Sequence, residues 1–80
     1  MSSNLKQDIS IGNRLKLFRK RANLTQDQVA AQLTIRGHII TSDIIAKMEQ
    51  GKYSIKISVL LSLKEIYRID SFDDIFSDLK

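Results

Sequence analysis

The sequence predicts an all-α domain of five short helices. Three observations carry that prediction. The chain has no proline and only three glycines in 80 residues, which disfavours a turn-rich β fold. Apolar residues recur at three- and four-residue spacing in five successive segments, the period of one buried helix face. Ser, Thr, Asn and Gly stand at the segment ends, where helices start and stop.

Residues 1–9 are polar and read as a flexible tail ahead of a domain spanning residues 10–80. The first helix is expected from about Ile11 to Ala22, with Ile11, Leu15, Phe18 and Ala22 in one stripe, Ser10 as N-cap and Asn23 as a left-handed stop. The second begins at a capping box. Thr25 with Gln28 supplies the reciprocal pair, and Leu24 with Val29 the hydrophobic staple around it. Val29, Ala30 and Leu33 face inward, and Gly37 ends this helix after about Arg36.

The third helix starts at Thr41 or Ser42. With Thr41 as N-cap, Ile40 and Ile45 form a second staple. Ile45 and Met48 point inward, and Gly51 sits just past the end. The fourth, about Ile57 to Tyr67, carries Leu60, Leu61, Leu63 and Tyr67 around most of its circumference and is expected at the centre of the core. The fifth starts at Ser71, with Asp73 and Asp74 in a dipole-favoured first turn and Phe72, Ile75, Phe76 and Leu79 on one face.

With 42% hydrophobic and 28% charged residues, the chain has globular composition. Its net charge of +4 favours a polyanionic partner, nucleic acid or an acidic membrane face. The charges are segregated: Arg14, Lys16, Arg19, Lys20 and Arg21 crowd an early segment, and Asp70, Asp73, Asp74 and Asp78 the end. The apolar stripe of the first helix is needed for the core, which argues against its inserting into lipid. No apolar run approaches the roughly 18 residues of a membrane span, and MSSNLKQDIS is not a secretory signal, so the expected location is cytoplasmic. Cysteine is absent and histidine occurs once. With no phosphate-cradling glycine loop and no spaced carboxylate pair, the sequence points away from an enzyme, a metal, a cofactor or a small-molecule substrate.

The stretches LTQDQVAAQL and TSDIIAKMEQGK resemble the helix-turn-helix of the lambda-repressor/Cro type, the XRE family. Leu24-Thr25-Gln26, Ala30, Ile45, Glu49 and Gly51 match as a set, and the likeness runs over about residues 10–79. It implies a five-helix lambda-repressor-like fold, double-stranded DNA as partner, and a role in transcription regulation, commonly as a repressor. The third helix is then the recognition helix, with its N-terminal residues near base edges in the major groove. Thr41, Ser42, Asp43 and Lys47 are the candidate base contacts; the bland reading of the same residues is an ordinary solvated helix surface.

The resemblance further implies that Gln26 bonds a DNA phosphate, beside the plainer role of capping its helix. It also implies that Arg19 and Glu49 form an interior ion pair that is structural. Lys52, Tyr53 and Lys56, with Ser54 between them, read as a phosphate-gripping loop or as a solvated basic one. Two departures stand out. Seven residues, TIRGHII, separate Leu33 from Thr41 where the usual turn has about 3–4, which predicts an extra turn on the second helix plus a longer loop, from which Arg36 and His38 reach the DNA backbone. For His38 the plainer reading is an exposed loop histidine. Asp43 accepts from cytosine N4 but repels phosphate, so it is either a base reader or a cap of its own helix. The lengthened turn and Asp43 also motivate an alternative, a protein-interaction module on the same scaffold. The apolar face of the last helix serves either to close the core or to form a homodimer.

Overall fold

The computed structural model describes residues 4–5 and 9–71. The expected fifth helix beyond Ser71, and with it the homodimer face of Phe72, Ile75, Phe76 and Leu79, lies outside the described residues. Among the described residues, four helices and a two-stranded ribbon follow in the order β1 (Asn4–Leu5), α1 (Ile9–Arg21), α2 (Gln26–Ile35), α3 (Ser42–Glu49), β2 (Ile55–Lys56) and α4 (Ile57–Ile66).

Two of the three N-cap expectations hold. Thr25 Oγ1 accepts from Gln28 N–H at 3.1 Å while Gln28 Oε1 accepts from Thr25 N–H at 2.8 Å, the reciprocal pair that starts α2. Thr41 Oγ1 accepts from Ile44 N–H at 3.3 Å and starts α3. Ser10 does not cap α1. The helix already begins at Ile9, which puts Ser10 inside its first turn.

All four helices end the same way. After each C-cap residue comes one in the left-handed region: Asn23 (φ 58°), Gly37 (φ 92°), Gly51 (φ 75°) and Arg68 (φ 56°). Each closes a paired bond set in which the next residue's N–H reaches back to the third carbonyl from the helix end, as in Leu24 to Arg19 at 3.2 Å and Lys52 to Lys47 at 2.9 Å. Asn23, Gly37 and Gly51 carry the stop signal in their chemistry. Arg68 does not, because an arginine pays roughly 1–2 kcal/mol for that conformation.

The core gathers Ile11, Leu15 and Phe18 of α1, Val29 and Leu33 of α2, Ile45 and Met48 of α3, Ile55 of β2, and Val59, Leu60 and Leu63 of α4, with Tyr67 and Ile69 beyond it. The staple residues Leu24 and Ile40 pack against it half-buried. The expectation that α4 lies at the centre of the core needs amending, because Ile57 and Leu61 are 42% and 49% exposed. α3 lies against both α1 and α2. The short strands were not foreseen: Asn4 pairs with Lys56 and Leu5 with Ile55 in antiparallel register, within the segment read as a tail. Two residues per strand are too few to show a period of two.

Gly12 marks a close approach of α1 to the end of α3. A Cβ there would sit 2.6 Å from the Glu49 carbonyl oxygen and 2.7 Å from that of Met48. Only a residue without a side chain lets α1 cross the end of α3 at this distance. Gly12→Ala therefore forces two backbones apart, and its denaturation midpoint should report a loss of about 1–3 kcal/mol; an unchanged midpoint would contradict the close crossing.

Candidate nucleic-acid interface

A buried ion pair sits where α1, α2 and α3 meet. Arg19 Nε donates to Glu49 Oε2 at 2.6 Å and Arg19 Nη2 to Glu49 Oε1 at 3.1 Å, the two-pronged geometry that guanidinium and carboxylate favour. Arg19 Nη1 donates to the Leu24 carbonyl at 2.9 Å. The arginine thus holds the end of its own helix, the start of α2 and the last turn of α3. Its bonds to Glu49 raise the guanidinium's already high pKa, against the opposing effect of burial. The interior pair implied by the family resemblance is present, and Arg19 drops out of the basic crowd of α1.

Gln26 joins the same network. Its Nε2 donates to Glu49 Oε1 at 3.1 Å, a contact the sequence reading missed. An amide nitrogen carries two N–H donors, so one remains for another acceptor at the N-terminus of α2, where backbone N–H groups also favour an anion. Asp27 lies beside it in the first turn.

α3 turns Ile45, Met48 and Glu49 inward and leaves Asp43, Lys47 and Gln50 exposed, with Ser42, Ile44 and Ala46 between. On the exposed face Lys47 Nζ is 3.3 Å from Asp43 Oδ2, one turn apart. Asp43 is therefore the partner of Lys47, and Thr41 is the cap. The Thr41 hydroxyl accepts from its helix and keeps its own hydrogen to donate. Beyond α3 the loop side chains Lys52, Tyr53, Ser54 and Lys56 are all exposed.

The lengthened turn is mostly loop. α2 runs only two residues past Leu33, and Arg36 to Thr41 connect it to α3. Arg36 forms an ion pair with Glu65 of α4, so its side chain is directed to the fold's own surface. His38 is half-buried, and its Nε2 lies 3.1 Å from the hydroxyl of buried Ser62 in α4. The exposed-histidine reading is corrected: the ring pins the turn to α4. A single His in the chain carried no sequence signal for that partner.

Among the described residues no group of three or more His, Cys, Asp or Glu side chains gathers to hold a metal, and no helix is long and apolar enough to cross a membrane. Residues 10–73 match the sequence model of a family described as helix-turn-helix domain, which covers both stretches that carry the resemblance. No curated protein and no solved structure matches the chain.

Two measurements test this site. With the side chains of Arg19 and Glu49 only 10% and 5% exposed, Glu49→Ala leaves an uncompensated buried cation and should cost about 3–5 kcal/mol of unfolding free energy. A melting temperature like that of the parent would refute the buried pair. Tyr67 is nearby: burial first, then the charge of Glu49, raises its phenol pKa, while Arg19 lowers it. Free tyrosine ionises near pH 10, so the unfolded chain releases this proton before the folded one does. Stability from this group is full below about pH 10 and falls as pH rises beyond it. Tyr67→Phe should flatten that alkaline decline in denaturation midpoints taken across the range.

Proposed function

The chain belongs to the helix-turn-helix domain family, and from that premise we propose that it is a sequence-specific double-stranded DNA-binding transcriptional regulator with α3 as its recognition helix. The observation that carries the reading is the disposition of α3. Its inner face is locked by Ile45, Met48 and the Glu49 pair, and its outer face is polar and open, with Lys52, Tyr53, Ser54 and Lys56 exposed after it.

Base edges are met by Thr41, Ser42, Asp43 and Lys47 from the N-terminal part of α3. Phosphates are gripped by Gln26 at the start of α2 and by Lys52, Tyr53 and Lys56. Arg36, tied to Glu65, is left out of the contact set. The Asp43–Lys47 pair is an exposed one-turn pair of the kind worth about 0.3–0.5 kcal/mol. A DNA acceptor can therefore take the ammonium from Asp43 at little cost, leaving Asp43 to accept from a cytosine amine.

A salt titration of duplex binding tests the proposal. Log affinity should fall linearly with log salt, by about 0.9 per phosphate neutralised. Lys52→Ala should weaken all duplexes alike and reduce the slope by about 1, whereas Lys47→Ala should also change which sequences are preferred. Absence of salt-sensitive retention on any duplex would sink this reading in favour of a protein-interaction module.

A further inference from the structure

The lengthened turn is pinned on both sides of one residue. His38 is bonded to Ser62 of α4, and Ile40 packs half-buried against the core. Between them Ile39 is 92% exposed, more than any other large hydrophobic residue among those described. The backbone has no freedom to swing it inward while its neighbours hold. An isolated exposed apolar residue is ordinary, but this one has a particular address. It stands two residues before Thr41, the N-cap of α3, at the end of a recognition helix that meets base edges. The same turn also faces the basic loop. His38, Ile39 and Ile40 line a cleft of about 350 Å³ together with Tyr53, Ser54 and Lys56.

We infer that Ile39 is a specificity-determining residue that reads the C5-methyl group of a thymine in the major groove. This rests on the DNA-binding reading above and deepens it. The thymine methyl is the one apolar feature that the major-groove edges of the four bases present. An apolar side chain held out from the protein is suited to recognise it. A branched side chain on a pinned turn loses little freedom on making that contact. The large apolar side chains of α3 are turned away from that role, because Ile45 and Met48 are buried and Ile44 is half-buried.

The test begins with duplexes selected from a random pool by the whole chain. Each thymine of the selected site is then replaced in turn by deoxyuridine, which lacks only the methyl group. One such replacement should weaken the parent protein about 4-fold, the effect of returning one methyl-sized group to water. Ile39→Ala should bind the thymine and deoxyuridine duplexes equally, at the parent's affinity for the deoxyuridine one. Its melting temperature should match the parent's, since the side chain is exposed. Ile35→Ala, at a residue 79% exposed on α2, should keep the thymine preference. The inference is overturned if no replacement weakens the parent, if the penalty persists in Ile39→Ala, or if the selected site contains no thymine. Each of these leaves salt-sensitive DNA binding intact, whereas loss of binding to every duplex removes the DNA reading and this inference together.

Discussion

The Arg19–Glu49 pair is the constraint on which the rest of the structure depends. α2 and α3 have 10 and 8 residues, lengths at which isolated helices are marginal in water. Their relative placement must come from tertiary contacts. The pair supplies a directional one at the point where three helices converge, and Leu24 and Gln26 bond to it from the start of α2. Hydrophobic packing of Ile45 and Met48 fixes which face of α3 is inward, but packing tolerates sliding. Bidentate hydrogen bonds do not. Replacing such a pair by apolar residues is often neutral or stabilising elsewhere, so its value here lies in orientation more than in net stability.

Gly12 and Arg19 act together in this. They lie seven residues apart on α1, two turns along the same face. Gly12 lets the helix descend onto the Met48 and Glu49 carbonyls, and that descent brings Arg19 within reach of the Glu49 carboxylate. The left-handed stops complete the arrangement. The turn at Asn23 sends the chain from α1 straight into the Thr25 cap, and the one at Gly51 releases it from α3 into the Lys52 to Lys56 loop.

Most of this was legible because it is local. A capping box, a staple and a glycine after a helix announce themselves within five residues, and Thr25–Gln28, Thr41, Asn23, Gly37 and Gly51 were placed on that basis. The Arg19–Glu49 pair is 30 residues apart in sequence and was reached by resemblance alone. Other long-range contacts had no such guide. His38–Ser62, Gln26–Glu49 and Arg36–Glu65 join residue types common on any surface, and nothing in their spacing marks them. Gly12 carries no local signal, because its reason lies in another helix's backbone. The exposure of Ile57, Leu61 and Ile39 is the converse: an apolar residue predicts burial, and only the packing tells which ones are left outside.

The charges divide into two kinds with different work. Arg19 and Glu49 are desolvated, bonded to each other and to the backbone, and cannot exchange partners without leaving a bare ion inside. Lys47, Lys52 and Lys56 are exposed, and Asp43 holds Lys47 through a weak, solvent-screened contact. A surface meant to meet a polyanion needs cations that let go of their own carboxylates easily, on a scaffold whose shape does not change when they do. Burying one ion pair at the helix junction and keeping the others loose on the rim meets both requirements at once. Among the described residues the buried charges, Arg19 and Glu49, cancel, and Lys47, Lys52 and Lys56 stay at the surface, where water screens them.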